Sequence, residues 1–236
     1  MLAAGVAMLI SWPTFRLRGP FFAIATLAFN EVAFVLANHF DAITGGPRGL
    51  MIPFKAAVAN MIFTERWQYA LLMFGFVALV IGITVWLRRS RLGYYLLAVR
   101  EDEDAARASG INVLGVKLRG MALSAALTSI GGTLFAMYLR FIDPPTIFNL
   151  PEVGVKFALL SLIGGVGTVA GPLLGAALII PFENYLRGEL SNALPGVSLA
   201  ILGLLMVLAA LFMKRGISGA FEDLIKRIRH MGKGKP

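Results

Sequence analysis

Cysteine is absent from all 236 residues, which excludes disulfides, thiolate metal sites and a cysteine nucleophile. Histidine is nearly absent. His39 and His230 are the two present, and neither has a ligand or triad partner at a recognisable spacing, so the chain offers no metal site and no catalytic arrangement. A phosphate loop of the form Gly-x-x-x-x-Gly-Lys-Ser/Thr is also missing. The Gly-rich stretch from Gly164 to Gly171 contains no lysine, so nucleotide hydrolysis by this chain is not expected, and neither is a cofactor of its own. Charge is scarce, at 15% of residues against about 25% in an average soluble domain. The regular alternation of polarity that marks the strands of a transmembrane barrel does not occur, so a barrel is excluded as well.

What the chain has in abundance is apolar side chains. They make up 58% of the residues and fall in long blocks, several approaching the roughly 20 residues an α-helix needs to cross about 30 Å of hydrocarbon. Clear blocks run from Pro20 to Asn38, Gln68 to Leu87, Met121 to Leu139 and Pro195 to Met213, preceded by a shorter one from Met1 to Trp12. That first block has no basic region before it, so it reads as the end of a span and not as a signal peptide. The expected fold is an all-α polytopic transmembrane bundle of about six to seven spans, one of them broken by glycine, forming a single domain over 1–236 surrounded by membrane lipid.

The formal charge of +9 does not point to nucleic acid, because the cations fill the gaps between apolar blocks and form no stripe with interleaved aromatics. They report topology instead. Arg88, Arg89, Arg91, Arg100, Arg107, Lys117 and Arg119 crowd one loop, 88–120, and Lys214, Arg215, Lys226, Arg227, Arg229, Lys233 and Lys235 crowd the tail, 214–236; both are expected on the cytoplasmic side. The connection from His39 to Trp67 then lies outside, and Arg16 and Arg18 inside. With loop and tail on one side, the chain between them crosses an even number of times, so the interrupted stretch from Val153 to Leu186 is not a single crossing. Two short crossings meeting at the Gly-rich break are favoured over a re-entrant segment, and the break at Gly164, Gly165 and Gly167 is expected within the bundle, where it lines a path. The tail from Phe221 to His230 reads as a basic amphipathic helix at the membrane surface.

Two polar features stand out. Arg100-Glu101-Asp102-Glu103-Asp104-Ala105-Ala106-Arg107-Ala108-Ser109-Gly110 reads as one short helix, with acids toward its N-terminus, Glu103 and Arg107 at i,i+4, and Gly110 suited to a C-terminal cap. Ala105, Ala106 and Ala108 leave a face of low relief, which fits either a plain solvated helix or a plug for a partner's groove. The second feature is Glu31, which follows Asn30 inside an apolar span. An ionisable group near the bilayer centre costs about 2.5–3.5 kcal/mol to insert, so Glu31 should face the bundle interior or water, as a path-lining group or as a packing hydrogen bond. Gly131, Gly132 and Ala136 provide small residues for close helix contact.

These residues resemble the LivM-type permease subunits of branched-chain amino acid ABC importers. The resemblance rests on Arg18-Gly19-Pro20-Phe21-Phe22-Ala23-Ile24-Ala25-Thr26-Leu27-Ala28-Phe29, on Thr44-Gly45-Gly46 with Gly49-Leu50, on Ala98-Val99-Arg100 through Gly110, and on Ile163 to Thr168 with Gly171-Pro172, in that order along most of the chain. It implies a multi-pass protein of the bacterial inner membrane, with its C-terminus cytoplasmic. A second, LivH-like permease subunit would complete the pathway, separate ATPase subunits would use the ATP, and an extracytoplasmic binding protein would deliver the substrate. The segment from Arg100 to Gly110 would be the coupling helix, and Asn30, Glu31, Thr44, Gly45, Gly46, Gly164, Gly165 and Gly167 are candidates for the path. Family members begin further upstream, so the resemblance implies that N-terminal spans of the family are lacking here. Leucine, isoleucine and valine are the default cargo, while similar permeases are associated with urea, amides and aromatic acids. Two other classes fit the residues: an ion-coupled secondary transporter using Glu31, and a membrane scaffold without a pathway.

Overall fold

The computed structural model describes residues 2–17, 19–51, 65–190 and 203. Apart from Gly203, the expected span from Pro195 to Met213 lies outside the described residues, as does the expected basic tail. The chain divides into two compact units, Met1–Phe148 and Asn149–Pro236.

Three helices of the first unit are long and apolar enough to cross a membrane: Pro20–His39, Trp67–Arg88 and Val113–Leu139. They belong to α2 (Pro20–His39), α4 (Arg66–Arg89) and α7 (Val113–Leu139), and a shorter α1 (Leu2–Thr14) packs along α7. Each end has a local cause. Pro20 opens α2, where its missing N–H is one of the donors a helix start leaves unpaired anyway. The Arg88–Arg89 pair places positive charge at the C-terminus of α4, where the helix dipole favours it. The helix α7 begins at Val113, well before the expected Met121, because Asn112 caps it by accepting from the Gly115 N–H at 2.9 Å. Part of the expected loop is therefore the first turns of a span.

The spans alternate in direction, as the loop charges require. At one end of the unit, Phe15 at the foot of α1 lies under the Lys117 ammonium at 5.7 Å, so Arg16 and the start of α7 share that end. At the other end, the chain leaving α2 forms α3 (Asp41–Thr44), a tight turn and β1 (Leu50–Met51), which pairs antiparallel with β2 (Phe141–Ile142) just beyond α7. The short helix α8 (Pro144–Ile147) follows and packs against α2. Two glycines make this corner possible. Gly46 at φ 54° has no room for a Cβ against the Asp41 carboxylate, and a Cβ on Gly49 at φ 69° would fall 2.7 Å from the Ile142 carbonyl oxygen.

Little of this unit is buried in itself. None of the apolar window of α2 or α4, and 6% of that of α7, is buried, a result that would be untenable in water. In lipid it costs nothing, because hydrocarbon solvates these side chains as well as a protein core does.

In the second unit, a π-helical turn over Leu150–Val155 leads into α9 (Lys156–Gly165), and the chain then reverses into α10 (Gly171–Leu190). The two helices lie antiparallel at backbone contact: a Cβ on Gly164 would run into the Gly171 carbonyl, and one on Gly175 into the Leu160 carbonyl. Gly165 and Gly167 adopt φ of 123° and 85°, open to glycine alone at no cost, and Thr168 ties the turn by donating to the Gly165 carbonyl and accepting from the Gly171 N–H. The stretch expected as two short segments meeting at the Gly-rich break forms two helices of unequal length joined there. The 10 residues of α9 reach about 15 Å and the 20 of α10 about 30 Å.

Gly164→Ala is expected to force this hairpin apart, lowering the melting temperature of the detergent-solubilised chain by several degrees, on the order of 2 kcal/mol. Gly132→Ala, where a Cβ meets nothing within 4 Å, should be neutral or mildly stabilising in the same measurement.

Candidate functional site

Between α4 and α7 the chain folds into α5 (Arg91–Glu101) and α6 (Glu103–Ala108). One helix was expected from Arg100 to Gly110, and the break at Asp102 is a correction with a clear cause. Asp102 is extended, at φ −156° and ψ 116°, so that its carboxylate accepts from the Asp104 and Ala105 N–H groups at 2.8 and 2.9 Å. That N-cap starts a new helix, leaving Arg100 and Glu101 as the last turn of α5. The far end of α6 closes as expected around Gly110. At φ 82°, Gly110 donates to Arg107 O and Ile111 donates to Ala106 O, a Schellman closure in which Ile111 also packs beside Ala106.

The corner has its own small core. Val99, Ala106, Val113 and Val116 are buried together, flanked by Leu92, Leu96, Ala98 and Ile111, so α5, α6 and the start of α7 form one packed body. Charge ties it further: Glu103 pairs with Lys117 of α7, and Arg107 pairs with Asp104 at 3.2 Å in place of the expected Glu103. Ala106 faces this core and is no part of an outer docking face, whereas Ala105 and Ala108 are exposed. The outward face of α6 is thus two alanines among charged residues, held on a rigid support.

The expected path residues fall in three other places. On α2, Asn30 is half-buried, with its amide 3.5 Å from the Phe148 carbonyl, and Phe34 packs its ring near that of Phe148. Glu31 is exposed among the described residues. Thr44, Gly45 and Gly46 build the turn at the opposite end of the unit from α6. The Thr44 hydroxyl lies within hydrogen-bond distance of the Ala37 and Phe40 carbonyls and accepts from the Gly46 N–H. Gly164, Gly165 and Gly167 form the hairpin break of the second unit.

One charged feature escaped the sequence reading. Lys156, the first residue of α9, meets Glu183, past the middle of α10, with Nζ 2.6 Å from Oε2; the Glu183 side chain is 5% exposed and that of Lys156 29%. Charges within membrane segments pair in this way because an isolated one is too costly. Among the described residues no group of three or more His, Cys, Asp or Glu side chains is placed to hold a metal ion.

Comparison with known proteins shows the family of the chain. Residues 1–210 match the family described as branched-chain amino acid transport system, permease component. The chain is 29% identical to the high-affinity branched-chain amino acid transport system permease protein LivM of Escherichia coli, over 100% of this chain and 59% of that protein. It is 24% identical to LivH of Salmonella typhimurium over 80% of this chain and 61% of that one. The L-arabinose ABC transporter permease protein AraH of Azospirillum brasilense is 28% identical over 80% of this chain and 55% of its own length. The chain spans about three fifths of the length of the curated relatives it matches. No solved structure matches it.

Removing Glu183 takes from Lys156 its ion-pair partner. Glu183→Leu is expected to cost about 3 kcal/mol, the low end for a broken buried pair because the lysine keeps some exposure. The double variant Lys156→Met/Glu183→Leu should recover most of that loss in thermal melting of the purified chain.

Proposed function

Because this chain belongs to the branched-chain amino acid transport permease family, we propose that it is a membrane permease subunit of an ATP-driven importer of leucine, isoleucine and valine. The observation that carries the reading is the match of the family over residues 1–210, joined to a capped, charge-rimmed helix, α6, braced at the basic end of the spans. The basic end is the cytoplasmic one in this reading, by the excess of arginine and lysine there.

In this mechanism the engine is separate. ATPase subunits bind and hydrolyse ATP, and α6 seats in a groove of one of them. The bracing of α6 decides where the motion goes. Its Schellman closure, its ion pair to Lys117 and the shared Val113–Val116 core leave no soft joint between α6 and α7, so a displacement of α6 passes into a 27-residue helix that spans the bilayer. Alternating access then exposes the path to one side at a time.

The path itself lies between this chain and a second permease subunit, with Glu31 turned toward it. An exposed carboxylate in the middle of α2 is too costly against lipid, and a facing subunit or a water-filled path relieves that cost. An extracytoplasmic binding protein delivers the substrate and carries most of its selection. The likeness to an arabinose permease supports this division, since a related scaffold is named there for a cargo of unrelated chemistry.

Affinity purification from native membranes tests the partnership. The expected companions are a second permease and an ATPase, and purification as a lone chain would contradict it. Ala108→Arg with Glu101→Lys, both on exposed positions of the corner, should lower recovery of the ATPase by about tenfold, or 1.4 kcal/mol, with membrane insertion unchanged. Glu31→Gln should reduce ATP-dependent uptake of leucine in reconstituted vesicles while the assembly purifies intact.

A further inference from the structure

The helix α5 is apolar on two faces, and only one of them is packed. Leu92, Leu96 and Val99 form the inward stripe against the corner's core. On the other side Tyr94 is 64% exposed, Leu97 51% and Tyr95 43%, and Trp86, near the end of α4, is 68% exposed. The exposed set sits at the foot of an apolar span, where three arginines, Arg88, Arg89 and Arg91, are exposed beside it. No acidic residue occurs in the sequence between Glu65 and Glu101.

The corner that carries these groups is rigid. The Ser90 hydroxyl donates to the Leu87 carbonyl at 2.7 Å and accepts from the Gly93 N–H at 3.2 Å. Gly93 itself rests against the Leu87 carbonyl so closely that a Cβ has no room there. The aromatic face of α5 and the arginines at the end of α4 are therefore held together by the fold.

We propose that this α4–α5 corner is a binding site for anionic phospholipid headgroups of the leaflet on the basic side. The rings of Trp86, Tyr94 and Tyr95 have the amphipathic character that places such residues at the boundary between hydrocarbon and headgroups. A guanidinium presents a planar fork matched to phosphate oxygens, and three of them at one corner concentrate that chemistry. Membrane topology alone requires positive charge on this side, but it does not require charge and aromatics to be clamped together by a capped turn. The coupling surface on α6 remains free for a protein partner while lipid covers the outer face of α5. The proposal rests on the reading above only for the side of the membrane, and it is independent of cargo and of ATP.

The test uses the full chain carrying Trp12→Phe and Trp67→Phe, which leaves Trp86 as the single tryptophan. The chain is placed in phosphatidylcholine vesicles containing a minor fraction of brominated phosphatidylglycerol or of brominated phosphatidylcholine with the same acyl chains. Quenching of Trp86 by the anionic lipid is expected to exceed that by the zwitterionic one by at least about fivefold in relative association, the value of one cation near an anionic surface. Arg88→Gln/Arg89→Gln/Arg91→Gln should bring that ratio close to one.

Equal quenching by the two lipids in the unmodified corner would overturn the proposal. So would no quenching by either, because protein would then cover the face. Should the triple variant insert poorly, a salt titration of the single-tryptophan chain decides: the anionic preference falls as screening shortens, and a preference indifferent to salt contradicts the assignment. Phosphate and chloride salts at equal ionic strength should act alike; selective loss in phosphate would mean that the site takes the free anion, which also overturns it. Failure of any of these arms leaves the transport reading untouched.

Discussion

Hydrocarbon offers no partner to a peptide group or a charge, and that single constraint shapes the apolar spans of this chain. Backbone groups satisfy themselves in helices. Charge is moved to helix ends or paired, as at Arg88–Arg89 and Lys156–Glu183 respectively. The same constraint permits what water would forbid, namely three long apolar helices with almost no self-burial. Stability in such a chain comes from a few contacts of high quality, and the Gly164–Gly171 and Gly175–Leu160 approaches are of that kind.

Outside the hydrocarbon, the ordinary rules of water-soluble proteins return. The corner formed by α5, α6 and the start of α7 has buried valines, an aspartate N-cap, a Schellman closure and an ion pair between helices. It is built as a small globular body at the foot of the spans; in the proposed mechanism it serves as a lever, and a lever has to be stiff. Flexibility in α6 would absorb displacement that the transport reading requires α7 to receive.

Much of this was legible in the sequence because hydropathy and loop charge are long-range, additive signals. The bounds of α2 and α4 differ by a residue or two from the apolar blocks, and the sharing of one end by Arg16 and Lys117 agrees with the orientation drawn from charge. The details that escaped depend on tertiary contact. In the sequence Asp102 is one acid of a dipole-favoured run, yet its extended backbone makes it a cap that splits the helix. Ala106 belongs by local spacing to an outer face, but the Val99, Val113 and Val116 side chains claim it. Lys156 and Glu183 lie on different helices, so no local spacing announced their pairing, which appears only once glycine brings α9 and α10 to backbone contact.

The central claim is that the outward face of α6 transmits force from a separate ATPase, and the lack of cysteine makes that claim open to a clean measurement. A single cysteine placed at Ala105 or Ala108, treated with a short thiol-directed crosslinker in native membranes, should join this chain to an ATPase subunit and arrest ATP-driven uptake. A cysteine at Ala106, whose side chain is buried, should give neither. Crosslinking of all three positions alike, or labelling at Ala105 and Ala108 that leaves uptake unaffected, would contradict the account.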